Sequence, residues 1–128
     1  MIATVVLSYN VIFPLFGLQM NRAAVEKITQ HPHWIQMLIF ARAAVVEEIL
    51  YRGYPLERIQ QLTGSKWIAF AVSVAVFTFA HLAGWGAAQL IVVSFGAVIL
   101  ALLYLWRRDL LCNMVAHFLV DAVSFAAT

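Results

Sequence analysis

Charged side chains are scarce in this chain: Asp, Glu, Lys and Arg make up 11% of its 128 residues, against about 25% in soluble domains. That scarcity excludes an ordinary water-soluble globule. The 64% hydrophobic content excludes intrinsic disorder, because so apolar a chain buries its surface somewhere. Lipid is the solvent the composition points to. There is a single cysteine, Cys112, so neither an intramolecular disulfide nor a multi-cysteine metal site is available. Eight Lys and Arg against six Asp and Glu leave a formal charge of +2, and no basic run is interleaved with aromatics, which sets nucleic-acid binding aside. No repeat, low-complexity tract or flexible linker divides the chain. It reads as one membrane domain over 1–128, with an N-terminal span and connection at 1–33 and a core at 34–128.

The few charges are placed unevenly. Met1 to Asn21 carries none, a run long enough for a hydrocarbon core that takes about 20 residues. A cleaved signal peptide is the competing reading, disfavoured by the missing basic n-region and cleavage site. Residues 22–33 are a polar loop or interfacial helix, with Pro32 placed to end or start a helix. From Trp34 to about Leu62 the pattern is helical but mixed, with Arg42, Glu47, Glu48, Arg52, Glu57 and Arg58 among Leu, Ile, Val and Ala. Thr63-Gly64-Ser65 reads as a turn. The 40 residues from Trp67 to Trp106 again lack Asp, Glu, Lys and Arg and suffice for two spans broken at Gly84-Trp85-Gly86. Arg107-Arg108-Asp109 turns the chain into a last helix, Leu110 to Thr128. The expectation is an all-α, polytopic membrane bundle of about five membrane-associated helices, with Trp67, Trp85 and Trp106 as interface anchors. Basic residues favour the cytoplasmic side, so Arg58, Lys66, Arg107 and Arg108 are expected there, together with the N-terminus.

Ionisable groups at membrane depth cost about 2.5 to 3.5 kcal/mol each on insertion scales, so they tend to be paired and functional. Three clusters stand out. Glu48 and Arg52 stand at i and i+4 on one helical face and can neutralise each other, which leaves Glu47, about 100° further round the helix, without a local partner. His81 is the sole strongly ionisable group in its span and shares a face with Phe77. His117 and Asp121 stand again at i and i+4, and Asn113 extends their stripe by a turn. About a Gly64-Ser65 turn, Glu48 and His81 lie at equal depth, roughly 24 Å in, and can face each other. Each cluster alone has a bland reading: a structural ion pair, a hydrogen-bonded packing histidine, a helix-stabilising pair. Three together in lipid-like helices favour one convergent site. Arg42 is open to snorkelling, to pairing with Glu26 or to neutralising Glu47.

The ordered set EExxxR (Glu47, Glu48, Arg52), FxxxH (Phe77, His81) and HxxxD (His117, Asp121), with Arg52-Gly53 following the first motif, resembles the signature of the CAAX prenyl protease and bacteriocin-processing (CPBP, Abi) family. Those proteins are multi-pass intramembrane endopeptidases, many of them from prokaryotic cell membranes. The resemblance implies hydrolysis of a peptide bond in a membrane-associated or prenylated substrate. It makes Glu47 the base that activates water, Glu48 and Arg52 the support of its helix, and His81 the holder of that water. His117 with position 121 would stabilise the oxyanion or complete a ligand set. Because an ionised Asp121 cannot donate to an oxyanion, it is expected to orient His117 or bind a metal. A zinc-like set of His81, His117 and Glu47 and a metal-free, glutamate-dependent hydrolysis are both compatible with these residues. A membrane immunity or scaffold protein and a small transporter are the alternative functions.

Overall fold

Glycines and polar residues cut the apolar runs into rods. A computed structural model describes residues 2–126, and among these there are six helical rods and no strand. They are α1 (Ile2–Leu15), α2 (Arg22–Thr29), α3 (33–63), α4 (Lys66–Trp85), α5 (Gln89–Arg107) and α6 (Leu110–Ala126). The boundaries follow from local chemistry. Asn21 opens α2 by accepting the Ala24 N–H at 3.2 Å, satisfying one of the donors a helix start leaves free. Gly64 ends α3 at φ 70°, with its N–H on the Gln60 carbonyl at 2.9 Å, and the Ser65 side chain opens α4. The α5–α6 turn is made without glycine: Arg108 takes φ 51° and Asp109 Oδ1 accepts the Cys112 N–H at 3.1 Å.

Two elements differ from the sequence expectation. The first helix stops at Leu15, because Phe16 leaves helical geometry and Gly17 turns at φ 62°. At 1.5 Å per residue α1 is about 21 Å long, short of a hydrocarbon core of about 30 Å. The connection after it is an amphipathic helix, with Ala24 buried and Arg22, Glu26 and Lys27 exposed. The long mixed helix α3 also contains a π segment, Ile49–Gly53, inside the EExxxR motif. Pro55 lies just beyond it and has no N–H to offer the Tyr51 carbonyl one turn back. Ser73 of α4 donates its hydroxyl there instead, at 2.7 Å.

The second half of α3 packs on α4, α4 on α5, and the first half of α3 on α6. The contact faces carry small residues, with Ala44, Ala69, Ala97 and Ala101 buried, so the backbones approach closely enough to exchange polar contacts. At the turn end Leu56, Ala69 and Tyr104 form a core with Ile59, Leu105 and Leu110. The opposite faces are apolar and exposed: Leu38, Val76, Phe79, Leu111, Val115 and Leu119 all point outward. A water-soluble protein rarely presents such a surface. Both α4 and α5 are long and apolar enough to cross a membrane, and only 22% of each spanning window is buried within the protein, so most of their apolar surface needs a lipid partner.

Trp67 and Trp106 stand exposed at helix ends beneath Lys66 and Arg107, 5.3 and 5.4 Å from the cation to the ring centre. Trp85 is half-buried at the end of α4, its ring 6.1 Å from that of Phe125. Arg42 is exposed and pairs with neither Glu26 nor Glu47.

The Ser73 hydroxyl is expected to be worth about 1 kcal/mol, the scale of hydrogen bonds between membrane helices. Ser73→Ala should therefore lower thermal stability in detergent, and Pro55→Ala, by restoring the helical N–H, should remove most of that loss. An equal cost of Ser73→Ala in both backgrounds would contradict this account of the π segment.

Candidate functional site

The centre of the bundle holds a buried ion pair. Glu48 and Arg52, both with 0% side-chain exposure, meet at 3.0 Å across one turn of α3. Burying two charges is costly unless lone pairs and protons find partners; here both oxygens of Glu48 are engaged, while Arg52 Nε and Asn113 Oδ1 stay buried without one. Glu48 Oε1 accepts from Arg52 Nη1 and from His117 Nδ1 at 2.8 Å, and Oε2 accepts from Asn113 Nδ2 at 3.0 Å. Asn113 also donates to the Leu100 carbonyl at 2.7 Å, and Arg52 Nη2 to the Ala97 carbonyl at 3.4 Å. The guanidinium lies 4.0 Å from the centre of the Phe77 ring. One carboxylate thus ties α3 to α6 directly and to α5 through its partners, and the cation over Phe77 adds α4.

Glu47 points elsewhere. The helical step that places Glu48 inside this network turns Glu47 toward a cavity of about 250 Å³, lined also by Phe77, His81, His117 and Asp121. Its Oε2 lies 3.6 Å from His81 Nε2 and 3.8 Å from His117 Nε2, separations too long for direct hydrogen bonds. That oxygen is buried without a hydrogen-bond partner. Both imidazoles are oriented from behind. His81 Nδ1 is 2.8 Å from the Phe77 carbonyl, which can only accept, so Nδ1 carries a proton and Nε2 is the ring nitrogen turned toward Glu47. His117 Nδ1 likewise donates to Glu48, leaving Nε2 toward Glu47 and toward Asp121 Oδ2 at 3.6 Å. The Phe77 ring stacks against His81 at 4.6 Å between centres, so one aromatic face carries the arginine and steadies a histidine.

All seven residues singled out in the sequence meet at this site, with three differences of detail. His81 faces Glu47 rather than Glu48, because Glu48 is turned into the buried network. His117 is held by Glu48, 69 positions away, and not by its helical neighbour Asp121, whose separation of 3.6 Å exceeds a hydrogen bond. Asn113, noticed only as an extension of the polar stripe, is fully buried and closes the Glu48 shell; its i, i+4 spacing to His117 was the available signal. Glu48 does not line the cavity. Among the described residues no group of three or more His, Cys, Asp or Glu side chains closes to a geometry that could hold a metal ion.

The family model described as Type II CAAX prenyl endopeptidase Rce1-like matches residues 29–123, about three-quarters of the chain and every residue of the three motifs. Among curated proteins and among solved structures nothing matches. The resemblance carried by EExxxR, FxxxH and HxxxD is borne out at the level of the family, and the chain belongs to the Rce1-like type II CAAX prenyl endopeptidases.

Proposed function

We propose that this protein is a multi-pass intramembrane endopeptidase that hydrolyses a peptide bond of a membrane-bound, prenylated substrate with water activated by Glu47. The observation that carries the reading is Glu47 Oε2: among the described residues it is the only buried carboxylate oxygen without a hydrogen-bond partner, and its residue lines the cavity beside two oriented imidazoles. Peptide hydrolysis needs a base, a positioned water and a donor for the tetrahedral oxygen. Water on the cavity side of Glu47 gives a proton to the carboxylate while the Nε2 lone pair of His81 accepts its other hydrogen. The oxygen then adds to the scissile carbonyl. His117 acts as the imidazolium, with Nδ1–H on Glu48 and Asp121 beside it to balance the charge, and donates from Nε2 to the tetrahedral oxygen; when the C–N bond breaks, the leaving amine receives the proton carried by Glu47. Arg52, Glu48 and Asn113 touch no reacting atom; they hold His117 and the helix that bears Glu47.

General-base loss costs about 10² to 10⁴-fold in rate. Glu47→Gln is therefore expected to reduce cleavage of a farnesylated CAAX peptide in proteoliposomes by that factor in a folded protein. The same assay in a chelator reads the metal question: the donor geometry favours cleavage that survives chelation, and loss restored by zinc would instead make Glu47, His81 and His117 ligands. A folded Glu47→Gln protein cleaving at the parent rate would end the hydrolase reading.

The placement in the membrane is part of the proposal. Arg108 bonds Gln60 at 2.8 Å and Tyr104 bonds Glu57 at 2.7 Å, which gathers Arg58, Lys66, Arg107 and Arg108 at one end of the bundle. That end is assigned to the cytoplasmic side by its basic charge. In a Cys112→Ala background, single cysteines at the exposed positions Gln61 and Ala87 should react with an impermeant reagent from opposite sides. Labelling of both from one side would contradict this orientation.

A further inference from the structure

The same cavity has a second polar station far along the chain from the three motifs. Tyr9 of α1 and Gln89 at the start of α5 both line it, and Gln89 Nε2 donates to the Tyr9 hydroxyl at 2.6 Å. Two hydrogen-bonding functions are left over. Gln89 Oε1 is buried without a partner, and the Tyr9 hydroxyl, which accepts from Gln89, donates to no acceptor among the described residues. The cavity is also lined by the apolar side chains of Phe40 and of Val92, Val93 and Leu100 on α5. A buried oxygen left unpaired costs stability, so its presence in a cavity argues for an occupant that supplies the missing hydrogen.

We propose that Tyr9 and Gln89 form a main-chain subsite, which takes the N–H of one extended substrate residue on Gln89 Oε1 and the C=O of that same residue on the Tyr9 hydroxyl, and so sets the register of the chain across Glu47. The inference rests on the endopeptidase reading above. The unmet needs are one acceptor and one donor on adjacent side chains, and a residue in extended conformation presents its N–H and its C=O on one side of the strand. A terminal carboxylate offers acceptors only and leaves Gln89 Oε1 unpaired. Recognition through the main chain is indifferent to the side chains of the substrate, so the pair fixes where the peptide lies and leaves its sequence free. Tyr9 lies outside the family match over residues 29–123, so the register is set in part by a segment that the family match does not include. Its ring is steadied by Phe13, 5.1 Å away edge to face.

The test is a scan of farnesyl-cysteine peptides in which one amide at a time is replaced by an ester, which removes a single N–H. Binding is measured to the Glu47→Gln protein, so that affinity is read without turnover, and cleavage of the all-amide peptide is measured with the parent. One ester position is expected to weaken binding about tenfold, the scale of a hydrogen bond whose loss leaves a buried acceptor unpaired. In a Gln89→Leu background the all-amide peptide should bind about tenfold more weakly and that ester should cost nothing further. Tyr9→Phe, which keeps the ring and its packing, should also weaken the all-amide peptide by a similar factor, and it serves if Gln89→Leu does not fold. A merely structural latch would change affinity without any dependence on ester position. A flat ester profile, or a sensitive position that stays sensitive in Gln89→Leu, overturns the subsite while the parent still cleaves and hydrolysis by Glu47 stands. A parent that neither binds nor cleaves these peptides overturns both.

Discussion

The Glu48–Arg52 pair is the constraint on which the rest depends. Two charges with no exposure are tolerated only when desolvation is offset by close geometry and by partners for the remaining donors and acceptors. Supplying those partners dictates the assembly: His117 and Asn113 bring α6 to the carboxylate, and the Ala97 and Leu100 carbonyls bring α5 to their donors. Phe77 brings α4 beneath the guanidinium. In a lipid environment helices gain little from apolar contact with one another, and packing of small residues with interhelical hydrogen bonds is what distinguishes one arrangement from others. The buried alanines at the crossings make such an approach sterically possible.

Satisfying Glu48 is also what isolates Glu47. Adjacent residues on a helix project about 100° apart, so a carboxylate next to a saturated one is turned away from the same partners. Glu47 Oε2 is left facing the cavity with two imidazoles whose proton positions are set from behind, by the Phe77 carbonyl and by Glu48. On the mechanism proposed above, the two adjacent glutamates divide two tasks that one carboxylate could not perform together. A carboxylate fully engaged by cations and amides is a poor base, and an unengaged one in an apolar bundle has nothing to hold its helix in place.

How much of this was legible beforehand depended on range in sequence. The Glu48–Arg52 and His117–Asp121 stripes follow from helical spacing alone, and the turn at Gly64 is written in its own residues. What holds His117 was not legible, because its partner Glu48 is 69 positions away and Asp121, the neighbour that spacing offers, sits 3.6 Å off. The same limit hid the Tyr9–Gln89 bond across 80 positions. The short first helix was missed for a different reason: charge counting cannot see Gly17 turning the chain. The π segment was missed too, although Pro55 was the signal for a carbonyl needing another donor.

The division of labour between the two glutamates is tested most directly by unfolding the Glu48→Gln and Glu47→Gln proteins side by side in one detergent. Removing the charge of Glu48 leaves Arg52 buried without its counter-ion, and breaking such a pair costs about 3 to 5 kcal/mol. Removing the charge of Glu47 takes away no hydrogen bond. The account therefore expects a large loss of stability for Glu48→Gln and none for Glu47→Gln. Equal losses, or a greater loss for Glu47→Gln, would contradict it.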